Sequence, residues 1–571
     1  MIVNPIASEA RTICAGIGSP EYQSQRLALY SRHLSIAQDL ARGFKNIHDK
    51  YGYDNAKAWL SGFEKRLKLA DSGLYLDSSD SEIRDKADML SRIAANRVMS
   101  AARHYGRENL NAIIIEISEF CSSNGVTFPI QPCDFKVERL ITMLSKIQEP
   151  SWWRRQLKTE CYRGFEHVNR SLGLVSKQRG AYVSEWSLKR QIDRKARNVE
   201  CLLSMEAVNE LGYSASIYEL SKTGSANPEN RVNEQIVKSK GHEQIALDLG
   251  LSCAFITLTC PSAYHARHAD GRQNVKYNGL TPRDAQEYLV SQWAKIRATW
   301  AKQGIKAFGT RVAEPHHDGT PHWHMVLYFV PAQFYAAKRV FRRFALQHDP
   351  LEKGAQKYRY DWKTLDLKDE KQSVTGYLLK YLLKNVNAPE ITTDFEDYET
   401  GETVTVSGSR VEAWASIWGI RQFQTQGSAS VTVWRELRRL ANAKNEQIDI
   451  TILDILQAAD KGDWAEFVRL MGGPTVKRSQ ALLRPLFSSD QHFGPQSPEL
   501  NETEHGEAYR RIVGIIMRQG SAYLTRLHVW TIQKKASEAV EKTSFDLDLR
   551  GAAAPPWSCV NNCNPASKGL H

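Results

Sequence analysis

The chain has 571 residues, 42% of them apolar and 25% charged, which describes a soluble globular protein long enough for three or four domains at ~150 residues each. No apolar run reaches membrane-spanning length, and the opening MIVNPIASEARTI is interrupted at Pro5, Ser8 and Glu9, so neither a span nor an export signal is expected and a cytoplasmic location is. Nine scattered cysteines, an odd number, form no disulfide framework, and a net charge of +12 points to a polyanionic partner.

In chain order, residues 1–245 read as mostly helical, with stretches such as SEIRDKADMLSRIAANRVMSAARHYG ending on a glycine stop. Between Trp152 and Asn198, twelve Lys and Arg stand against four acids, a net of +8, so two thirds of the chain's excess charge sits in one window. Arg154, Arg155, Lys189, Arg190, Arg194, Lys195 and Arg197 are the expected phosphate contacts there. Trp152, Trp153, Tyr162, Phe165, Tyr182 and Trp186 interleave with them, and two uses are open: stacking under bases, or filling the core of a helical bundle with a basic outer face.

SKTGSANPENRVNEQ, at 221–235, is rich in turn formers and reads as a loop or hinge. After it the texture changes. CAFITLTC at 253–260 is a strand; Thr281 and Pro282 open a helix that stops before Gly304; KAFGTRV and HWHMVLYFV are strands around a turn. A helix near AQFYAAKRVFRRFALQ, a strand near 356–363 and the helix GYLLKYLLKN follow, and this alternation predicts a compact domain over 246–430. Residues 431–550 are expected to be mainly helical and 551–571 a loose tail, where the close pair Cys559 and Cys563 lacks the partners of a zinc site. The fold class expected is multidomain α+β.

Two segments carry chemistry. In RVAEPHHDGTPHWHMVLYFV, residues 311–330, His322 and His324 share one face of a strand, and an odd-numbered turn brings Glu314 opposite His322 on that face. Two imidazoles and a carboxylate make a divalent-metal site, with His316 and His317 of the turn as alternative third ligands. The doubled tetrapeptide YLLKYLLK places Tyr377, Lys380, Tyr381 and Lys384 on one helical stripe at ~100° per residue. Alone, each segment has a plain alternative: partly buried strand histidines, and a solvated helix face.

Together FITLT at 255–259, PHWHMVLYF with its His-hydrophobic-His, and Tyr377 with Tyr381 resemble the ordered motifs of HUH endonucleases that initiate rolling-circle replication. More narrowly they resemble the replication gene A protein family of temperate tailed phages, as do WWRRQL, SLGLVSKQRGAYVS and WSCVNNCNP. The resemblance is most specific over 245–425 and adds little for the first 120 residues. It implies a central antiparallel sheet with the His strand in its middle and the tyrosine helix alongside.

By the same resemblance His322 and His324 are metal ligands with Glu314 as the third, Tyr377 and Tyr381 are paired nucleophiles, and Lys380 and Lys384 stand where single-tyrosine relatives place a lysine. The implied reaction is site- and strand-specific nicking of single-stranded origin DNA with Mg²⁺ or Mn²⁺, through a 5′-phosphotyrosine. Three rival readings are a two-His, one-carboxylate zinc hydrolase, a non-catalytic origin-binding protein, and a relaxase or transposase of the same chemistry. No GxxxxGK[ST] motif occurs, so a host helicase is the expected partner for unwinding.

Overall fold

Helices begin where the sequence supplies caps. Ser79 and Glu82 form a reciprocal capping box that starts helix Asp80–Tyr105, and Gly106, at φ +75°, ends it. Asn227 accepts from the Glu229 amide at 3.0 Å and Pro228 takes the first helical position, so helix Pro228–Asp248 begins inside the segment expected to be a hinge. The turn formers there are a helix start, and only 224–227 connect it to the preceding helix Ile217–Thr223.

The computed structural model describes residues 4–106, 108–369, 373–384, 397, 403–442, 449–488, 505 and 511–535. The expected tail from 551, with Cys559 and Cys563, lies outside them. The chain divides into two compact units, with the first break between Ser187 and Leu188, inside helix Glu185–Leu203. No helix among the described residues is long and apolar enough to cross a membrane, and the seven described cysteines are free.

The first unit is helical. Its core takes in Tyr30, Phe44, Ile114, Trp152, Trp153 and Phe165. The Trp153 indole donates to the Ile147 carbonyl at 2.7 Å, Trp152 meets Trp153 edge-on at 5.1 Å, and Tyr182 is wholly buried. Trp152, Trp153, Phe165 and Tyr182 are packing residues that a base cannot reach, while Tyr162 and Trp186 are half-buried.

The second unit is built on a five-stranded antiparallel sheet. Besides two short strands, β1 (Met205–Asn209) and β2 (Ser214–Ser216), it contains β3 (Ser252–Thr259), β4 (Ala307–Pro315), β5 (Pro321–Phe329), β6 (Tyr360–Leu365) and β7 (Phe423–Gln426). The order is β6-β3-β5-β4-β7, which puts the His strand β5 in the middle with all nine residues buried. Both faces are covered, which is why PHWHMVLYF lacks the alternation of a half-exposed strand.

On one face Trp323 donates to Gln286 at 3.0 Å, on helix Pro282–Lys302, and stacks under the Arg311 guanidinium at 4.1 Å. On the other, Phe255, Phe308, Val326 and Tyr328 form a core with Leu378 and Leu382 of the tyrosine helix, Val374–Lys384. β4 approaches β5 so closely at Gly309 that a Cβ there would lie 1.9 Å from the Val326 carbonyl oxygen.

Beyond 431 the expectation of helix holds for Val431–Asn442, Ile450–Lys461 and Trp464–Leu470. It fails after that, where β8 (Leu483–Phe487), β9 (Ile512–Met517), β10 (Ala522–Leu524) and β11 (Trp530–Lys534) make two small sheets, β10-β9-β8 and β11-β1-β2. β1 and β11 pair from distant parts of the sequence, and strands of five residues carry too few periods to be told from short helical segments. β1 and β2 likewise interrupt the region expected to be mostly helical.

Gly309→Ala is expected to lower stability by at least ~2 kcal/mol, because neither backbone can yield without breaking the ladder. Thermal unfolding monitored by circular dichroism checks this, and an unchanged midpoint contradicts it.

Candidate active site

The hairpin β4–β5 sets the site. Its register pairs Glu314 with His322 and Pro315 with Pro321, leaving 316–320 as the connection. Asp318 holds that turn, accepting from the Thr320 amide and hydroxyl, each at 3.0 Å, and Gly319 supplies φ +80°. Glu314, His322 and His324 are brought onto one face as the strand period requires.

One ligand atom of each lies within 4.8 Å of the others, and all three residues are buried. His322 Nδ1 and His324 Nε2 are buried without a hydrogen-bond partner among the described residues. Thr257, opposite His324 in β3, shares a 3.0 Å hydrogen bond with His324 Nδ1; with Nδ1–H donating, Nε2 turns its lone pair to the cluster. Burial pulls His324 down to about 3, helped by Lys384 and Lys363. Burial likewise holds His322 well below its ordinary value, with His316 and His324 acting the same way. Both rings are therefore neutral, the form that ligates metal.

Lys384 reaches in from the end of the tyrosine helix, 3.8 Å from Glu314 and 3.4 Å from Asp397, with all three side chains buried. The Glu314 carboxylate with two neutral imidazoles is a donor set that suits a divalent cation. His316 stacks on His322 at 4.0 Å; the carboxylate that joins the two histidines as a ligand set is that of Glu314.

Tyr377 and Tyr381 stand on the same helix beside this cluster, both half-buried. Their ring centroids are 6.0 Å apart. The Tyr381 ring lies 4.2 Å from the His324 ring, while Tyr377 meets the edge of Phe255 at 4.6 Å. Phe255 also stacks on both Tyr381, at 5.3 Å, and His324, at 5.5 Å, so one core ring keeps the phenol and imidazole in order. The side chain of Lys380 lies outside the described residues.

Glu243 anchors the start of the tyrosine helix. Its carboxylate accepts from the Val374 amide at 2.9 Å, from the Thr375 amide at 3.1 Å and from the Thr375 hydroxyl at 2.5 Å. A negative charge on otherwise unpaired N-terminal amides is favourable on both hydrogen-bond and dipole grounds. Sequence reasoning missed Thr257, Glu243 and Asp397. Thr257 could have been found from the pairing of FITLT with the His strand; Glu243, 131 residues before Val374, leaves no local signal.

The expected phosphate contacts are spread over both units. Arg154 and Arg155 are exposed in the first; in the second, Lys189 and Arg197 are exposed, while Lys195 is ion-paired with Glu412 and Arg194 donates to Gln191 and Ser416 at 2.5 and 2.9 Å. Arg190 is half-buried.

The family model described as bacteriophage replication gene A protein matches residues 80–389. The replication gene A protein of Escherichia phage 186 is 38% identical over 421 residues, covering 72% of this chain and 58% of that protein. The probable replication protein P12 of Pseudoalteromonas phage PM2 is 37% identical over 433 residues, 75% of this chain and 62% of that one. A probable replication endonuclease from a prophage-like region of Salmonella typhi is 32% identical over 443 residues, 75% of this chain and 53% of that one. The chain thus spans between half and two thirds of the length of these relatives. No solved structure matches.

Thr257→Val keeps the shape of β3 but removes the partner of His324 Nδ1. It is expected to weaken Mn²⁺ binding ~10- to 100-fold, read by isothermal calorimetry on the folded variant. An unchanged affinity contradicts the part given to Thr257.

Proposed function

The chain belongs to the bacteriophage replication gene A protein family, and from that premise we propose that it is a site- and strand-specific endonuclease of the HUH type, which nicks single-stranded origin DNA through a tyrosine and starts rolling-circle replication. The observation that carries this is the phenol pair of Tyr377 and Tyr381 on one helix against the buried Glu314, His322 and His324, with Tyr381 and His324 in ring contact.

A bound Mg²⁺ or Mn²⁺, held by Glu314, His322 and His324, would neutralise charge on the scissile phosphate and favour the phenolate beside it. The remaining chemistry belongs to the chain. A phenol with an ordinary pKa of ~10 must lose its proton to attack, and the ring contact with His324 holds Tyr381 beside the ligand cluster where that anion would form. The tyrosine oxygen bonds to phosphorus as the bond from phosphorus to the 3′-oxygen breaks; that oxygen leaves as a 3′-hydroxyl once protonated. The 5′ end stays on the tyrosine as a phosphodiester, so the bond can be remade by a later 3′-hydroxyl without other energy.

Two phenols allow this to be repeated. While one is esterified the other is free to cut the regenerated origin, and the new 3′-hydroxyl then releases the first linkage as a closed circle. A host helicase opening the duplex completes the scheme. A zinc hydrolase would use the same ligands but has no need of paired phenols, and a pure DNA binder has no need of buried imidazole nitrogens without partners. A relaxase or transposase differs only in the DNA it acts on.

Tyr381→Phe should slow nicking of a single-stranded origin oligonucleotide ~10-fold or more, Tyr377→Phe less, because Tyr381 is the phenol against the ligand cluster. The double variant should be inert, and each single variant should fail in plasmid replication. Normal nicking by the double variant rejects the tyrosine mechanism. Separately, EDTA should stop nicking while oligonucleotide binding persists; nicking that continues in EDTA rejects the metal.

A further inference from the structure

Helix Pro228–Asp248 has a charged stripe that nicking does not use. Arg231, Glu234, Gln235 and Lys238, at i, i+3, i+4 and i+7, line a cavity of about 570 Å³ together with Arg421 and Arg435. Among its lining residues Glu234 is the one acid against four cations.

Glu234 is already shared. Lys238 lies 3.1 Å from one of its oxygens and Arg435 2.7 Å from the other. Among the described residues that leaves the charges of Arg231 and Arg421 without a carboxylate in the cavity, and Arg231 Nε is buried with no hydrogen-bond partner there. Lys238 is 4% exposed, and burial pulls it below the usual lysine range, with Arg435 and Arg421 adding to the effect against Glu234. Concentrated positive charge behind low-dielectric walls is costly until an anion joins it, and planar guanidinium forks suit a tetrahedral oxyanion.

The neighbouring stripe of the same helix holds the tyrosine helix. Val232 packs with Leu383, Ile236 and Leu379 join them, and Glu243 caps the tyrosine helix. An anion in the cavity would therefore be held by the element that positions Tyr377 and Tyr381.

We propose that this cavity binds a phosphate group other than the scissile one. Two sources share that chemistry, a phosphodiester of the bound DNA strand and a free polyphosphate such as the triphosphate of a nucleotide. The inference rests on the nicking reading only for the first source.

The test uses the full chain in EDTA, which withholds the metal that the proposed nicking needs. A short fluorescein-labelled single-stranded oligonucleotide is titrated at several salt concentrations against the unaltered protein and Arg231→Gln/Arg421→Gln. If the source is the strand, the double variant binds ~10-fold more weakly, and the slope of log K against log salt is shallower by ~1.4, two charges at ~0.7 each. If the source is a free polyphosphate, that slope is unchanged, while tripolyphosphate raises the thermal midpoint of the unaltered protein and not of the variant. No difference between the proteins in either measurement overturns the proposal.

Arg231→Lys keeps the charge but loses the fork, and carries the test should the double variant not fold. It should bind one of the two probes more weakly with its salt slope kept, and unchanged affinity for both overturns the proposal. Covalent adduct formation by the unaltered chain with Mn²⁺ is scored apart, so loss of the nicking reading leaves the anion result standing.

Discussion

The site depends on the cross-strand register of β4 and β5. With Glu314 opposite His322, three ligand-type side chains share one face; a slip of one residue would turn Glu314 away while the histidines stayed. The register is held at one end by the Asp318–Gly319 turn and along its length by the close approach at Gly309. A sheet buried on both faces makes slippage costly, since every side chain of β4 would change sides. The fold thus concentrates buried imidazole nitrogens and a carboxylate where apolar residues would have packed more cheaply. A bound cation would offset that cost.

The tyrosines inherit their position from a different set of constraints. Leu378 and Leu382 sink into the sheet core, Leu379 and Leu383 turn toward helix Pro228–Asp248, and Glu243 ties the helix start to that same helix. The phenols are left on the remaining arc, half-buried beside His324 and Phe255. Lys384 is drawn further in, where Glu314 and Asp397 compensate its charge. The repeated Tyr-Leu-Leu-Lys unit is therefore not two equivalent copies: Tyr381 meets the ligand cluster, and Tyr377 meets Phe255.

Much of the second unit was legible because its signals are local. Thr281 and Pro282 cap a helix in plain sight, the alternation of His322 and His324 needs only the strand period, and the hairpin pairing follows from the length of its turn. What escaped was non-local. The strands beyond Leu483 are short, and β11 finds β1 from the far end of the unit; Glu243 caps a helix remote from it in sequence. Trp153 and Phe165 looked equally suited to bases or to a core, since burial depends on neighbours that composition does not name. The Asn227–Pro228 pair reads as a turn or as a helix start, and the helix won because its apolar side had Leu379 and Leu383 to cover.

The central claim is that a tyrosine of this helix, not water, attacks the phosphate. Its most direct test is peptide mapping by mass spectrometry after incubating the protein with single-stranded origin oligonucleotide and Mn²⁺ and then denaturing it. The account predicts an oligonucleotide 5′-phosphate joined to Tyr377 or Tyr381 and a released fragment ending in a 3′-hydroxyl. Cleaved DNA with a free 5′-phosphate and no peptide attached, or attachment at any other residue, would contradict it.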